Sequence, residues 1–193
     1  CAIDDTGVIC RGNNDYGQVQ PNSPPQLLNP SQVSAGGSHT CALDDQGVAC
    51  WGQDEWGQSS PPTLTNPSQV SAGYEHTCAL DDTGVVCWGY NEFGQSSPPE
   101  LTNPSQVSAG MFHSCALDDS GVVCWGDNFY GESSVPELIN PSQVSADGHT
   151  CALDDTGAVC WGYNEYGQST PPELINPSQI SVGALHTLSL IHI

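Results

Sequence analysis

Apolar and polar residues alternate along this chain in short stretches, and no helical period is sustained over eleven residues. The stretch VSAGYEHTCALDDTGVVCWGYNEFGQSSPPELTNPSQ, from Val70, shows the scheme. Gln69 to Ala72 predicts a short strand ended by Gly73. His76 to Leu80 predicts a second strand, Asp81 to Gly84 a turn, and Val85 to Trp88 a third strand ended by Gly89. Gly94 to Pro104, rich in Pro, Ser and Asn, reads as a connector. The scheme recurs. Its first cysteine returns at Cys1, Cys41, Cys78, Cys115 and Cys151, at steps of 40, 37, 37 and 36. The longer step carries extra residues around Gln20 to Ser23, and the shorter one loses a residue before His149. Self-similarity at a fixed period over nearly the whole chain predicts a repeat architecture.

Cys78 and Cys87 are nine residues apart. If they face each other, Leu80 pairs with Val85 and the loop is the four residues Asp81 to Gly84, built on a type I turn with a left-handed glycine at its end. One face of the hairpin then carries Leu80, Val85 and the cysteines, and the other Ala79, Val86 and Trp88. A hairpin apolar on both faces needs a neighbour on each side. The expected fold is therefore all-β: a partial β-propeller of about five blades, each of three to four short antiparallel strands. Hairpins start at 1, 41, 78, 115 and 151, and a partial sixth unit covers 180–187. An open arc is expected, with closure into a five-bladed ring through Ile180 to Thr187 as the alternative.

The segment HTCALDDTGVVCWGYNEYGQ, as in the unit from His149 to Gln168, resembles the repeat of the regulator of chromosome condensation family. That pattern is a Gly-x-x-His-Thr, an apolar strand, an acidic-Gly turn, then Trp-Gly-x-Asn-x-x-Gly-Gln. The resemblance covers residues 1–187 and implies a seven-bladed parent. The short repeat favours the three-stranded blades of bacterial relatives. The cysteine pair is absent from the eukaryotic archetype, and no position matches its exchange-factor surface, so that activity is not carried over. Residues 188–193, LSLIHI, break the repeat and read as a translated sequencing-adapter tail.

All ten cysteines fall into hairpin pairs, Cys1–Cys10, Cys41–Cys50, Cys78–Cys87, Cys115–Cys124 and Cys151–Cys160. Opposed residues of an antiparallel pair lie about 4.5–5.5 Å apart at Cα, within disulfide reach. Five disulfides are one reading and five pairs of buried thiols the other. The first implies an extracellular, cell-surface or periplasmic setting.

The chain has 22 acidic residues and one basic one, Arg11, for a net charge of -21. Such a surface repels phosphate backbones and anionic lipid, which argues against nucleic acid and membrane as partners. No apolar run is long enough to span a bilayer. Ten of the acids sit in the Asp-Asp turns, at one end of the hairpins, and read as solvated turns. His39, His76, His113, His149 and His186 occupy one position per repeat and read as structural histidines bonding backbone at a blade edge. No Cys-x-x-Cys spacing or Ser/His/Asp set occurs, so neither metal, cofactor nor catalysis is expected.

The Gly-x-x-His loops and the loops after Trp-Gly share the end opposite the acidic turns. There the repeats differ from one another while the frame scarcely changes. Tyr74, Glu75, Tyr90, Met111, Phe112, Phe129 and Tyr163 are the candidate contacts for a protein or glycan partner. The last aromatic of each post-Trp-Gly loop (Tyr16, Trp56, Phe93, Tyr130, Tyr166) is expected to pack between blades. The function expected is a non-catalytic binding scaffold of an extracellular or cell-surface bacterial protein. The alternatives are an inhibitor of a secreted enzyme and a structural repeat segment of a larger adhesin or enzyme.

Overall fold

The computed structural model describes residues 1–5, 7–19, 26–174 and 176–191; the extra residues expected around Gln20 to Ser23 and the end of the expected tail, 192–193, lie outside the described residues. Every regular element described is a strand. A first hairpin is formed by β1 (Ala2–Asp4) and β2 (Gly7–Ile9). Four three-stranded antiparallel sheets follow. They are β3 (Gln32–Ala35), β4 (His39–Asp44) and β5 (Gly47–Gly52); β6 (Gln69–Ala72), β7 (His76–Asp81) and β8 (Gly84–Gly89); β9 (Gln106–Ala109), β10 (His113–Asp118) and β11 (Gly121–Gly126); and β12 (Gln143–Ala146), β13 (His149–Asp154) and β14 (Gly157–Gly162). A final pair, β15 (Pro177–Gly183) and β16 (His186–Ile191), forms a two-stranded sheet of its own. β15 does not join the sheet of β1, so the blades form an open arc and not a five-bladed ring.

The register places Cys78 opposite Cys87 and Leu80 opposite Val85. Pairing continues to Asp81 and Gly84, which shortens the expected four-residue loop to Asp82-Thr83. Gly84, at φ +118°, takes the backbone that an L side chain rarely adopts. The ten cysteines are bonded in five pairs with Cα atoms 4.0–4.1 Å apart, and none among the described residues is free.

Blades stack with unlike faces together. Cys78 and Leu80 of one sheet pack on Val107, Ala109, Ala116 and Trp125 of the next, with Leu101 of the connector closing the edge. Equivalent contacts join Cys41 and Leu43 to Val70 and Ala72, and Cys151 and Leu153 to Ile180. Trp51, Trp88, Trp125 and Trp161 are all at least nine-tenths buried. This layering explains why both hairpin faces are apolar: each is the core of a different interface.

The inner strands are stitched together by side chains. Val70 N donates to Gln32 Oε1 at 2.9 Å and Ala72 N to Ser34 Oγ at 3.0 Å. The same two bonds recur from β9 to β6, from β12 to β9 and from β15 to β12. An unpaired strand edge is a liability; here the Gln and Ser of each Gln-Val-Ser-Ala strand satisfy the edge of the next.

Residues 188–191 continue β16 and pair with β15, Leu188 opposite Ser181 and Leu190 opposite Gln179. Backbone pairing is indifferent to the side chains it carries, so this segment enters the sheet although it breaks the repeat. Its side chains show the difference: Leu188 and Leu190, at positions where other units bury Cys and Leu, are 62% and 53% exposed.

At the acidic end the turns are not merely solvated. Asp81 Oδ2 accepts from Thr65 N at 2.8 Å, and Asp82 Oδ2 accepts from Asn66 Nδ2 at 2.6 Å. Asn66 sits at φ +49°, and Asn29, Asn103, Asn140 and Asn176 adopt nearly the same angle. The turns at Asp44-Asp45, Asp81-Asp82, Asp118-Asp119 and Asp154-Asp155 thus each hold the connector that enters their blade. Among the described residues, no helix is long and apolar enough to cross a membrane.

Candidate functional site

The end opposite the Asp-Asp turns is built from a rigid joint and two sets of variable loops. The joint begins with the loop after Trp-Gly. Asn91 Oδ1 accepts from Ser96 N at 2.9 Å, and Gln95 Oε1 accepts from Phe93 N at 3.1 Å, folding the loop upon itself. Gln95 is fully buried, and its carbonyl accepts two bonds from the next blade: Trp125 Nε1 at 2.9 Å and Ser114 Oγ at 3.1 Å. Gln18, Gln58 and Glu132 serve the following blades in the same way.

The hydroxyl that donates to this carbonyl also faces a histidine. His39 Nε2 lies 2.8 Å from Thr77 Oγ1, and His113 Nε2 lies 2.7 Å from Thr150 Oγ1. The hydroxyl's one proton goes to the carbonyl, so it accepts from the ring, which is neutral and protonated at Nε2. The histidines therefore bridge blades through hydroxyls and do not bond backbone at an edge. Burial pulls His39, His113 and His149 down to about 4 and His76 to about 3, the neighbouring imidazoles adding to the shift at His76, His113 and His149. Among the described residues, no three His, Cys, Asp or Glu side chains converge as metal ligands would.

On this frame the aromatic side chains form surface networks. Tyr74 meets Phe112 edge-on with ring centroids 5.6 Å apart. Phe112 also lies 5.6 Å from Phe93 and 6.3 Å from Tyr90, and Tyr90 lies 5.0 Å from Trp56. A second group joins Phe129, Tyr130, Tyr163 and Tyr166, with centroids 4.8 Å apart at both Phe129–Tyr130 and Tyr130–Tyr163. Of the candidates, Tyr74 and Phe129 are exposed, while Glu75, Tyr90, Met111, Phe112 and Tyr163 are half-buried. Tyr90 Oη donates to Glu92 and Tyr163 Oη to Glu165. Those bonds, with smaller contributions from desolvation and nearby charge, push both phenols up to about 12.

One expectation is overturned. The last aromatic of each loop does not pack between blades: Tyr16, Trp56, Phe93, Tyr130 and Tyr166 are all exposed by roughly half or more. The tryptophan of Trp-Gly already fills the interface and bonds the Gln carbonyl, leaving no room for a second ring. Sequence reasoning therefore missed Trp56, Phe93, Tyr130 and Tyr166 as surface groups. The signal was there. The glycine that follows each of them, at φ +80° to +86°, turns the chain back before the buried Gln or Glu and leaves the aromatic on the outside of the bend.

Between the two networks lies a cleft of about 300 Å³, lined by Met111 and Phe112 on one side and by Phe129, Tyr130 and Tyr163 on the other. Asp147 and Gly148 belong to its lining. The residue missing before His149 opens it. Gly73 N bonds to His76 O, three residues on, but Asp147 N bonds to His149 O, two residues on, and no aromatic side chain rises from the shortened loop.

The comparisons agree with this architecture. The Regulator of chromosome condensation (RCC1) repeat matches residues 31–58, 68–95, 105–132 and 147–168, together more than half of the chain. A search of the curated proteins found no match. Among solved structures, the chain is similar to the ectodomain of the Physcomitrella patens receptor kinase CR4, at 25% identity over 86% of its length and a TM-score of 0.73. It is similar to the CRINKLY WD40 ectodomain of the Arabidopsis thaliana receptor kinase ACR4, at 26% identity over 93% of its length and a TM-score of 0.74. Prp20p from Saccharomyces cerevisiae shares the fold, at 19% identity over 84% of the chain, with a TM-score of 0.72. The chain spans 50%, 66% and 56% of these three structures respectively.

Proposed function

The chain belongs to the regulator of chromosome condensation (RCC1) repeat family, whose repeat here builds a non-catalytic scaffold, and from that premise we propose that it is an extracellular protein-binding module that recognises its partner with the aromatic end. The observation that carries this reading is the connected set Tyr74, Phe112, Tyr90, Phe93 and Trp56, held at the surface by loops whose frame does not vary. Isolated exposed apolar residues are ordinary; a contiguous aromatic patch on rigid loops is the composition of an interface centre. The five disulfides and the likeness to two receptor ectodomains support an oxidising, extracellular setting. The three-stranded blades and 36-to-37-residue spacing support the short-repeat type found in bacteria.

The test is capture of extracellular proteins on the immobilised chain, with bound proteins identified by mass spectrometry. The variant carrying Tyr74→Ala, Met111→Ala and Phe112→Ala should lose them while keeping its thermal midpoint. Capture that survives the three substitutions, or a collapse in midpoint without loss of capture, overturns the proposal.

A further inference from the structure

Four positions on two successive blades depart from the repeat, three in the loop after Trp125-Gly126 and one in the loop before His149, and all four line the cleft. Asp127 stands where the other units have Asn13, Gln53, Tyr90 and Tyr163. Phe129 stands where they have Asp15, Glu55, Glu92 and Glu165. Glu132 replaces Gln18, Gln58, Gln95 and Gln168, and Asp147 replaces Gly36, Gly73, Gly110 and Gly183. Three of the four exchanges add a carboxylate, and the fourth removes one from the rim in favour of a ring that is 79% exposed. The frame needs none of these changes. Glu132 makes the same bonds as its Gln counterparts: its Oε2 accepts from Tyr130 N at 2.7 Å, and its carbonyl accepts from Trp161 and Thr150.

The geometry points to a pocket for one cationic side chain, a lysine or arginine displayed on the partner protein; this rests on the aromatic end being the binding face. The shape and the charge agree on that occupant. A volume of about 300 Å³ is at the small end for ligand sites and suits a single long side chain. Phe112, Phe129, Tyr130 and Tyr163 line the cleft, and an aromatic ring attracts a cation through its quadrupole. Asp127, Glu132 and Asp147 supply opposite charge, and no Lys or Arg lines the cleft. Burial raises the Asp147 carboxyl above its ordinary value, opposed in part by His186, which is the behaviour of a half-buried carboxylate without a full counter-charge. The methylene stem of a lysine would lie along Met111 and Phe112 while its ammonium met the carboxylates.

The experiment is a ¹⁵N–¹H NMR titration of the intact chain with three peptides, acetyl-Gly-Ser-X-Ser-Gly-amide, with X lysine, arginine or the neutral, lysine-length norleucine. The cationic peptides should shift the amides of Asp127, Phe129 and Asp147 saturably, and norleucine should bind at least about tenfold more weakly, the usual order for one well-placed charge. Asp147→Asn and Glu132→Gln, the latter restoring what every other unit carries, should each weaken the lysine peptide and leave norleucine unchanged. Equal binding of norleucine and lysine overturns the proposal, as does lysine binding indifferent to both variants or absent. If these results fail while the Tyr74, Met111 and Phe112 variant still loses its captured proteins, the binding face stands and only the cation pocket falls.

Discussion

His76 Nε2 lies 2.8 Å from Ser114 Oγ, across the boundary between two blades, and Ser114 Oγ in turn donates to the Gln95 carbonyl at 3.1 Å. The histidine of one blade, the hydroxyl of the next and the folded loop between them form a single chain of bonds. At the preceding boundary the hydroxyl is Thr77. Thr77→Val keeps the shape but removes the acceptor for His39 and the donor to Gln58, in a site with no exposure. We expect a loss of roughly 2–3 kcal/mol, because buried polar groups are left unpaired. Thr77→Ser, the hydroxyl that Ser114 already supplies, should cost under about 1 kcal/mol. Urea unfolding of the two variants checks the difference, and equal losses would show that the methyl and not the hydroxyl matters.

The same histidines set the response to acid. Their folded pKa values, about 3 to 4, lie below the ordinary value of 6.5, so the unfolded chain binds more protons between those limits. Their contribution is complete above about pH 6.5 and is lost as pH falls toward 4. Asp81, Asp118 and Asp154 extend the trend: burial raises them, but bonds from their own turn and from the connector prevail and hold them below 3.8, so their contribution fades only below that value. The urea midpoint should fall steeply from pH 6.5 to 4, with proton uptake on unfolding approaching four near pH 5. A midpoint flat across that window would mean that the rings are already charged in the fold.

Much of this was legible before any coordinates. The nine-residue cysteine spacing fixed the hairpin register, because a pair that faces across a sheet leaves only one way to count inward to the turn. The two apolar faces announced stacking. What sequence could not give was the partner of a polar group one repeat away. Gln32 and Val70, 38 residues apart, meet only because the blades stack at a particular height. His39 and Thr77 are another such pair, which is why a backbone partner was assigned to the ring. The cleft was half legible: the deletion before His149 was visible, but not that Asp127, Phe129, Glu132 and Asp147 surround the gap it leaves.

The disulfides offer a third check. Closing a ten-residue loop restricts the unfolded chain and stabilises by roughly 2–3 kcal/mol. The pair Cys78→Ala and Cys87→Ala in one variant should lose at least that amount, because removing the Cys78 sulfur, fully buried against the next blade, adds a packing loss to the lost crosslink. Under reductant the gap between its denaturant midpoint and that of the parent should narrow to the packing loss left by the missing Cys78 sulfur. A variant as stable as the parent under oxidising conditions would show that stacking alone organises the hairpin.

A comparison of two glycines separates packing from backbone strain. A Cβ on Gly73 would lie 2.4 Å from Gly110 O and 2.6 Å from His76 Cε1, closer than side-chain atoms tolerate, and neither the neighbouring backbone nor the bridged ring can retreat. Gly73→Ala should therefore prise one blade from the next, costing upwards of about 2 kcal/mol. Gly94, at φ +83°, has open space around it, so Gly94→Ala carries only the left-handed backbone penalty of about 1–2 kcal/mol. The distinguishing readout is hydrogen exchange. Gly73→Ala should loosen the amides of both β6 and β9, because the collision spans their boundary, while Gly94→Ala should loosen only its own loop. If Gly73→Ala leaves β9 protected, the blades are not pressed together at this point, and the joint rests on its other links: the histidine bridge, the Trp125–Gln95 bond, the Gln69 and Ser71 stitches and the apolar packing.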